Sequence, residues 1–328
     1  MTTPPAPPPV PSSTPPGPPP PAGTPIRITA RRPEDLLAVV PVVLGFHPTE
    51  SVVLLTFGAR RQFHARIDLP RTPAEIAATV EALLVPSVRE EAQAVAFVLY
   101  AGERTAAVAR WASRALVHGF ERAGIRVVDA IRADGECWFA LLPGRQPGPG
   151  RGVRYDVTTH PISAQAVFEG RAVLASRTAV ADTLRPDPAA VDRVAAAVRR
   201  ARAADHDTVA AAVAAAVSAG HWADPVLASV LLGLRDPKVR DAAWGSMRRP
   251  ESPGHVRLWV DAVRRAPAEL RAGAAAVLAY AAWLAGDGAL AWCAVDRCRE
   301  HDPGNSLARL VADLLEQAVP PTVLGEHG

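Results

Sequence analysis

The chain has 328 residues, 36 of them Lys or Arg and 33 Asp or Glu, for a formal net charge of +3. A hydrophobic fraction of 49% and a mean hydropathy of +0.08 allow sizeable cores and about two domains. One lysine against 35 arginines is the bias of a GC-rich genome, so the pI of about 9.0 says little, and neither residues 24–180 (net +4) nor 181–328 (net −1) hold the basic stripe that nucleic-acid binding needs.

In chain order, residues 1–25 contain 13 prolines and cannot bury enough apolar area to offset their ordering entropy, which predicts a disordered tail or a docking site for a proline-binding module. A short strand is expected at 26–29 and a helix at 33–44, with Leu36, Leu37, Val40, Val43 and Leu44 on one face. Gly45 suits the left-handed position that closes that helix, and Pro48 shapes the turn that follows. The continuous apolar run 51–57 predicts a buried central strand, and 62–69 returns after a hairpin loop. Thr72, Pro73 and Glu75 form a capping box that opens a helix to about 84. Another buried strand is expected at 94–100, a helix at 105–123, a strand hairpin at 125–142 around Asp134-Gly135, and a last mixed piece at 153–177.

Past Thr178 the strand signal ends. Asp187-Pro188, Asp224-Pro225 and Asp236-Pro237 each pair a capping residue with a proline at the first helical position. Helices are expected at 187–203, 206–219, 225–234, 237–247, 254–265, 268–285, 287–301 and 305–318. Five of the seven tryptophans fall here, at spacings that suit packing anchors. Leu278, Ala279, Gly286, Ala291, Cys298 and Pro303 have the spacing of one tetratricopeptide-like helix pair, although no second copy aligns. The expectation is a mixed sheet with flanking helices, an α/β domain over 26–180, followed by an all-α domain over 181–320 that carries this helix pair and a C-terminal tail at 321–328.

The motif search is mostly negative. Phosphate-binding, dinucleotide-binding, zinc-protease and serine-hydrolase signatures are all missing from the sequence. Prolines interrupt the amides of the glycine-rich run 144–152, so it cannot form a continuous phosphate nest. Cys137, Cys293 and Cys298 form no pair motif, which fits a reducing cytoplasm, and the histidines show no ligand spacing, so no metal and no cofactor are expected. No run reaches the length of a membrane span.

The candidate site is the return strand and the turn before the first strand. Phe63, Ala65, Ile67 and Leu69 point one way; His64, Arg66 and Asp68 point the other, close enough for Arg66 and Asp68 to pair. His47, Glu50 and Ser51 add polar groups from the turn, and Arg177 falls near the join of the two domains, after His160-Pro161. The bland alternative is an edge strand whose polar face meets water, with a surface ion pair of little energetic weight.

PEDLL with LGFHPTES at 33–51, RIDLP at 66–70, HP to SR at 160–177 and GDGALAW to DP at 286–303 together resemble the actinobacterial family called domain of unknown function 4192. No activity comes with that resemblance. It implies, where relatives carry a cysteine cluster after a Trp-containing strand, that this chain lacks it, since no cysteine follows Trp138 in the 143–152 loop. The functional expectation is a non-catalytic interaction or scaffold protein, meeting a protein partner through the helical domain or the Pro-rich tail; the alternative is a small-molecule binder or enzyme using the 47–51 turn and the 64–68 strand.

Overall fold

The computed structural model describes residues 32–144, 150–169 and 173–324. The Pro-rich segment, the strand expected at 26–29 and the last four residues lie outside the described residues.

An N-terminal half of mixed sheet and helices precedes a mostly helical half. The sheet has six strands: β1 (Ser51–Phe57), β2 (His64–Asp68), β3 (Ala94–Tyr100), β4 (Arg126–Ala133), β5 (Cys137–Ala140) and β6 (Val153–Arg154), in the spatial order β2-β1-β3-β4-β5-β6. Only β3 and β4 are parallel, and the helix between them, α3 (Ala106–Arg122), supplies the crossover that parallel neighbours require. β1 is buried from Ser51 to Thr56 and β3 along its whole length, because both of their faces are covered. On one face α3 and α2 (Pro73–Arg89) enclose a core in which the Phe97 and Phe120 rings meet edge to face at 5.1 Å. On the other, α1 (Pro33–Leu44) lies over Val53, Leu55, Val98 and Ile131, backed by α4 (Pro161–Phe168).

Local differences from the sequence reading have local causes. β2 begins at His64 because the Thr56 hydroxyl, not its backbone, meets Phe63, donating to the Phe63 carbonyl and accepting from its N–H. α2 continues past 84 to Arg89 through Pro86; Ile76, Thr79, Leu83 and Pro86 prolong the buried stripe, which offsets one missing helical bond. Thr72 caps α2 as expected, but Glu75 reaches back to the Arg71 N–H at 2.7 Å.

The helical half begins with α5 (Arg177–Asp182), α6 (Pro188–Val198), α7 (His206–Ala216), α8 (Asp224–Gly233) and α9 (Pro237–Trp244), and continues with α10 (Ser252–Arg265), α11 (Arg271–Ala285), α12 (Gly288–Arg299) and α13 (Ser306–Glu316). Asp187 and Asp236 cap α6 and α9, whereas Asp224 is already inside α8 and pairs with Arg265 instead. α6 ends at 198 rather than 203: the Ala204 N–H leaves the helical path to donate to the Ser229 carbonyl at 3.0 Å. α11 is buried on every side, and its small side chains let α12 pack against it as the expected helix pair, with Gly286 at φ 82° in the connection. Trp222 packs edge-on to Trp259, and Tyr280 lies between Trp244 and Trp283, so these rings serve packing.

The halves share a seam. Phe46 and Leu174 form a parallel bridge, with the Leu174 N–H donating to Gly45 and the His47 N–H donating to Leu174. Phe46 belongs to the core of the helical half, against which Leu44 also packs.

Candidate functional site: a cleft along the edge strand

β2 is the last strand at one edge of the sheet. Its register against β1 places Ala65 opposite Leu54 and Ile67 opposite Val52, and the Leu69 N–H donates to the Glu50 carbonyl at 2.8 Å. In an antiparallel pair the hydrogen-bonding direction alternates. Phe63, Ala65, Ile67 and Leu69 therefore turn their backbone groups toward β1, and His64, Arg66 and Asp68 turn theirs outward, where no described residue pairs with them.

That outward edge borders a cleft of about 690 Å³ between the two halves. The C-terminal end of α1 contributes Val43 and Leu44. The opposite wall is built from Trp283, Trp292, Leu315 and Val319. The chain after α13 is fixed as part of this wall: Trp283 donates its indole N–H to Val319, and Arg89 at the end of α2 donates to the carbonyls of Gln317 and Ala318.

The polar groups of the cleft are few. Arg66 is largely covered (19% exposed) and contacts the exposed Asp68 (84%) at 2.6 Å. Its Nε is buried and has no partner. The His64 Nδ1 is likewise buried and unpartnered, and burial lowers its pKa from 6.5 to about 4, so the ring is neutral at pH 7. Arg177, Arg249 and Glu316 add charged groups to the lining from the helical half. Arg177, the first residue of α5, reaches Asp296 on α12 at 3.1 Å, and exposed Arg249 has no side-chain partner among the described residues.

The structure thus brings His64, Arg66, Asp68 and Arg177 around one space and leaves His47, Glu50 and Ser51 outside it. His47 is exposed. Glu50, at φ 43°, turns its carboxylate to the Gly102 N–H, the Thr105 hydroxyl and Arg71, and so fixes the approach to α3. Ser51 is fully buried and donates to the Thr49 carbonyl. His160 is structural: Nδ1 accepts from the Ile162 N–H at the start of α4, leaving Nε2 to meet Asp35 on α1 at 3.2 Å. Sequence reasoning missed Arg249, Trp283, Trp292 and Val319 as cleft residues; nothing in their local pattern separates a packing tryptophan from one that also walls a cavity.

Chemically, the cleft offers hydrogen-bonding edges and positive charge inside apolar walls. Among the described residues no group of three His, Cys, Asp or Glu side chains is placed to hold a metal ion, and no helix is long and apolar enough to cross a membrane.

These features define a two-part protein, a mixed sheet whose open edge faces a helical half across a cleft. The chain belongs to the family described as domain of unknown function (DUF4192), which it matches over residues 33–322, from the first residue of α1 to the turn after α13. No curated protein and no solved structure matches it.

Proposed function

We propose that this is a non-catalytic binding protein whose ligand occupies the cleft along β2, with His64 and Arg66 as its polar contacts and Asp68 and Arg177 at its margin. One observation supports the reading: the outward edge of β2, carrying His64 and Arg66, lines a cavity of about 690 Å³ together with Trp283, Trp292 and Arg177 of the helical half. Ligand sites favour the join between domains and pair apolar walls with a few polar groups, which is the composition of this lining. Three unpaired cysteines fit a reducing cytoplasm.

Native mass spectrometry of the intact chain, before and after incubation with a cell extract, tests the reading. Ala289→Trp, which places an indole in the cleft, is the control. A bound mass retained by the natural chain and absent from the folded variant supports the proposal. The same masses on both proteins overturn it.

A further inference from the structure

We infer that the cleft takes an extended acidic peptide, which adds to the sheet as a seventh strand beside β2. The inference rests on the cleft being a binding site and names what it binds.

Backbone is the first argument. A strand edge presents a row of N–H and C=O groups that another extended chain can complete, and natural proteins usually block or cover such edges. Here the outward groups of His64, Arg66 and Asp68 have no described partner. At about 3.4 Å per residue, the five residues of β2 give an edge about 17 Å long, enough to seat about five residues of peptide.

The side chains specify a partner that alternates. An added strand would put alternate residues on the two faces of the sheet. One set would lie beside Ala65 and Ile67, where β-branched or other apolar residues fit. The other would lie beside His64 and Arg66, where an acidic side chain would take the place of the exposed Asp68 on the Arg66 guanidinium. Arg66 and Arg177 already hold Asp68 and Asp296, so the acidic preference rests on Arg66, whose partner Asp68 is 84% exposed and displaceable, and on Arg249, which has no side-chain partner among the described residues.

The opposite wall limits the occupant to one strand. Trp283 and Leu315 of the helical half, and Val319 after it, line the same cleft as β2. A second copy of this sheet, which is about 10 Å thick before its helices are added, does not fit a space of about 690 Å³. The wall therefore admits a single peptide and prevents the edge-to-edge pairing to which open strands are prone.

The test starts from a random heptapeptide phage library selected on the full chain and counter-selected on Ala289→Trp. Enriched sequences should alternate β-branched with acidic residues. Synthesised, the best peptide should slow hydrogen exchange at the His64 and Arg66 amides at least tenfold. N-methylation of its β2-facing amides should weaken binding at least tenfold, and Arg66→Gln, a milder change than Ala289→Trp, should weaken it at least threefold. Enrichment of peptides whose binding ignores N-methylation overturns strand addition. So does the absence of any enriched peptide while dodecanoate or indole-3-acetate quenches tryptophan fluorescence of the natural chain and not of Ala289→Trp; that result leaves the cleft a site for small carboxylates. No enrichment and no quenching overturns both the peptide inference and the binding proposal.

Discussion

The Trp283 indole N–H donates to the carbonyl of Val319 at 3.0 Å, so one ring both anchors the chain after α13 and walls the cleft. Trp283→Phe keeps an aromatic ring and removes the donor. The lost bond should cost about 1 kcal/mol, with the Val319 carbonyl left to find water. Hydrogen exchange should quicken over residues 317–322 and stay unchanged over β3 and β4. Uniform quickening across the sheet would show that the bond supports the whole molecule and not this wall.

His64 should make stability fall in acid. Its folded pKa of about 4 lies below the ordinary 6.5, so between those values the unfolded chain takes up a proton that the folded chain refuses. The neutral ring's contribution is complete above pH 6.5 and is lost as the pH drops toward 4. At about 1.4 kcal/mol per pH unit, the loss comes to about 3 kcal/mol. Urea unfolding of the natural chain and of His64→Phe at pH 7 and pH 4.5 isolates this effect: the natural chain should lose more stability between the two. Equal losses would place the acid sensitivity elsewhere.

The cysteines should differ in reactivity. Burial raises the Cys293 thiol and pushes Cys298 up to about 12, so neither forms thiolate near neutral pH, whereas Cys137 is only half-buried. Titration with a chromogenic disulfide at pH 8 should label Cys137 in the native protein and all three thiols in urea. Fast native labelling of Cys298 would contradict its burial on α12.

Gly233 is held by packing. A helical glycine replaced by alanine ordinarily gains up to about 1 kcal/mol. Here the added Cβ would lie 2.5 Å from the Ala204 carbonyl oxygen, a backbone atom whose own N–H is tied to Ser229. Gly233→Ala should therefore lose about 1–3 kcal/mol, read as a lower urea midpoint. A stabilised variant would mean that the 199–205 connection moves freely.

The sheet was readable from sequence where a strand's burial shows in its own residues. The runs 51–57 and 94–100, which hold no charged residue, mark the covered strands, and the alternation of 63–69 separates the two faces of β2. Helix ends were harder, because long-range contacts decide them: Arg265 draws Asp224 away from a cap, and Ser229 draws Ala204 out of α6. The cleft was half legible. His64, Arg66 and Asp68 announce a polar face, but whether it meets water or a wall depends on Trp283 and Val319, more than 200 residues downstream. Glu50 could not be resolved in advance, since its carboxylate is taken up by the Gly102 and Thr105 groups of the loop before α3.

The bridge between Phe46 and Leu174 bears on how such a protein is inherited. Phe46 is a sheet-side residue that fills the helical core, and the strand pairing around it ties the chain leaving α1 to the chain approaching α5. A recombination that swapped in a foreign helical half would lose the pocket that receives Phe46, and one that removed it would leave that ring and Leu44 bare. The two halves thus share a core residue across their seam, and the family match from 33 to 322 spans both.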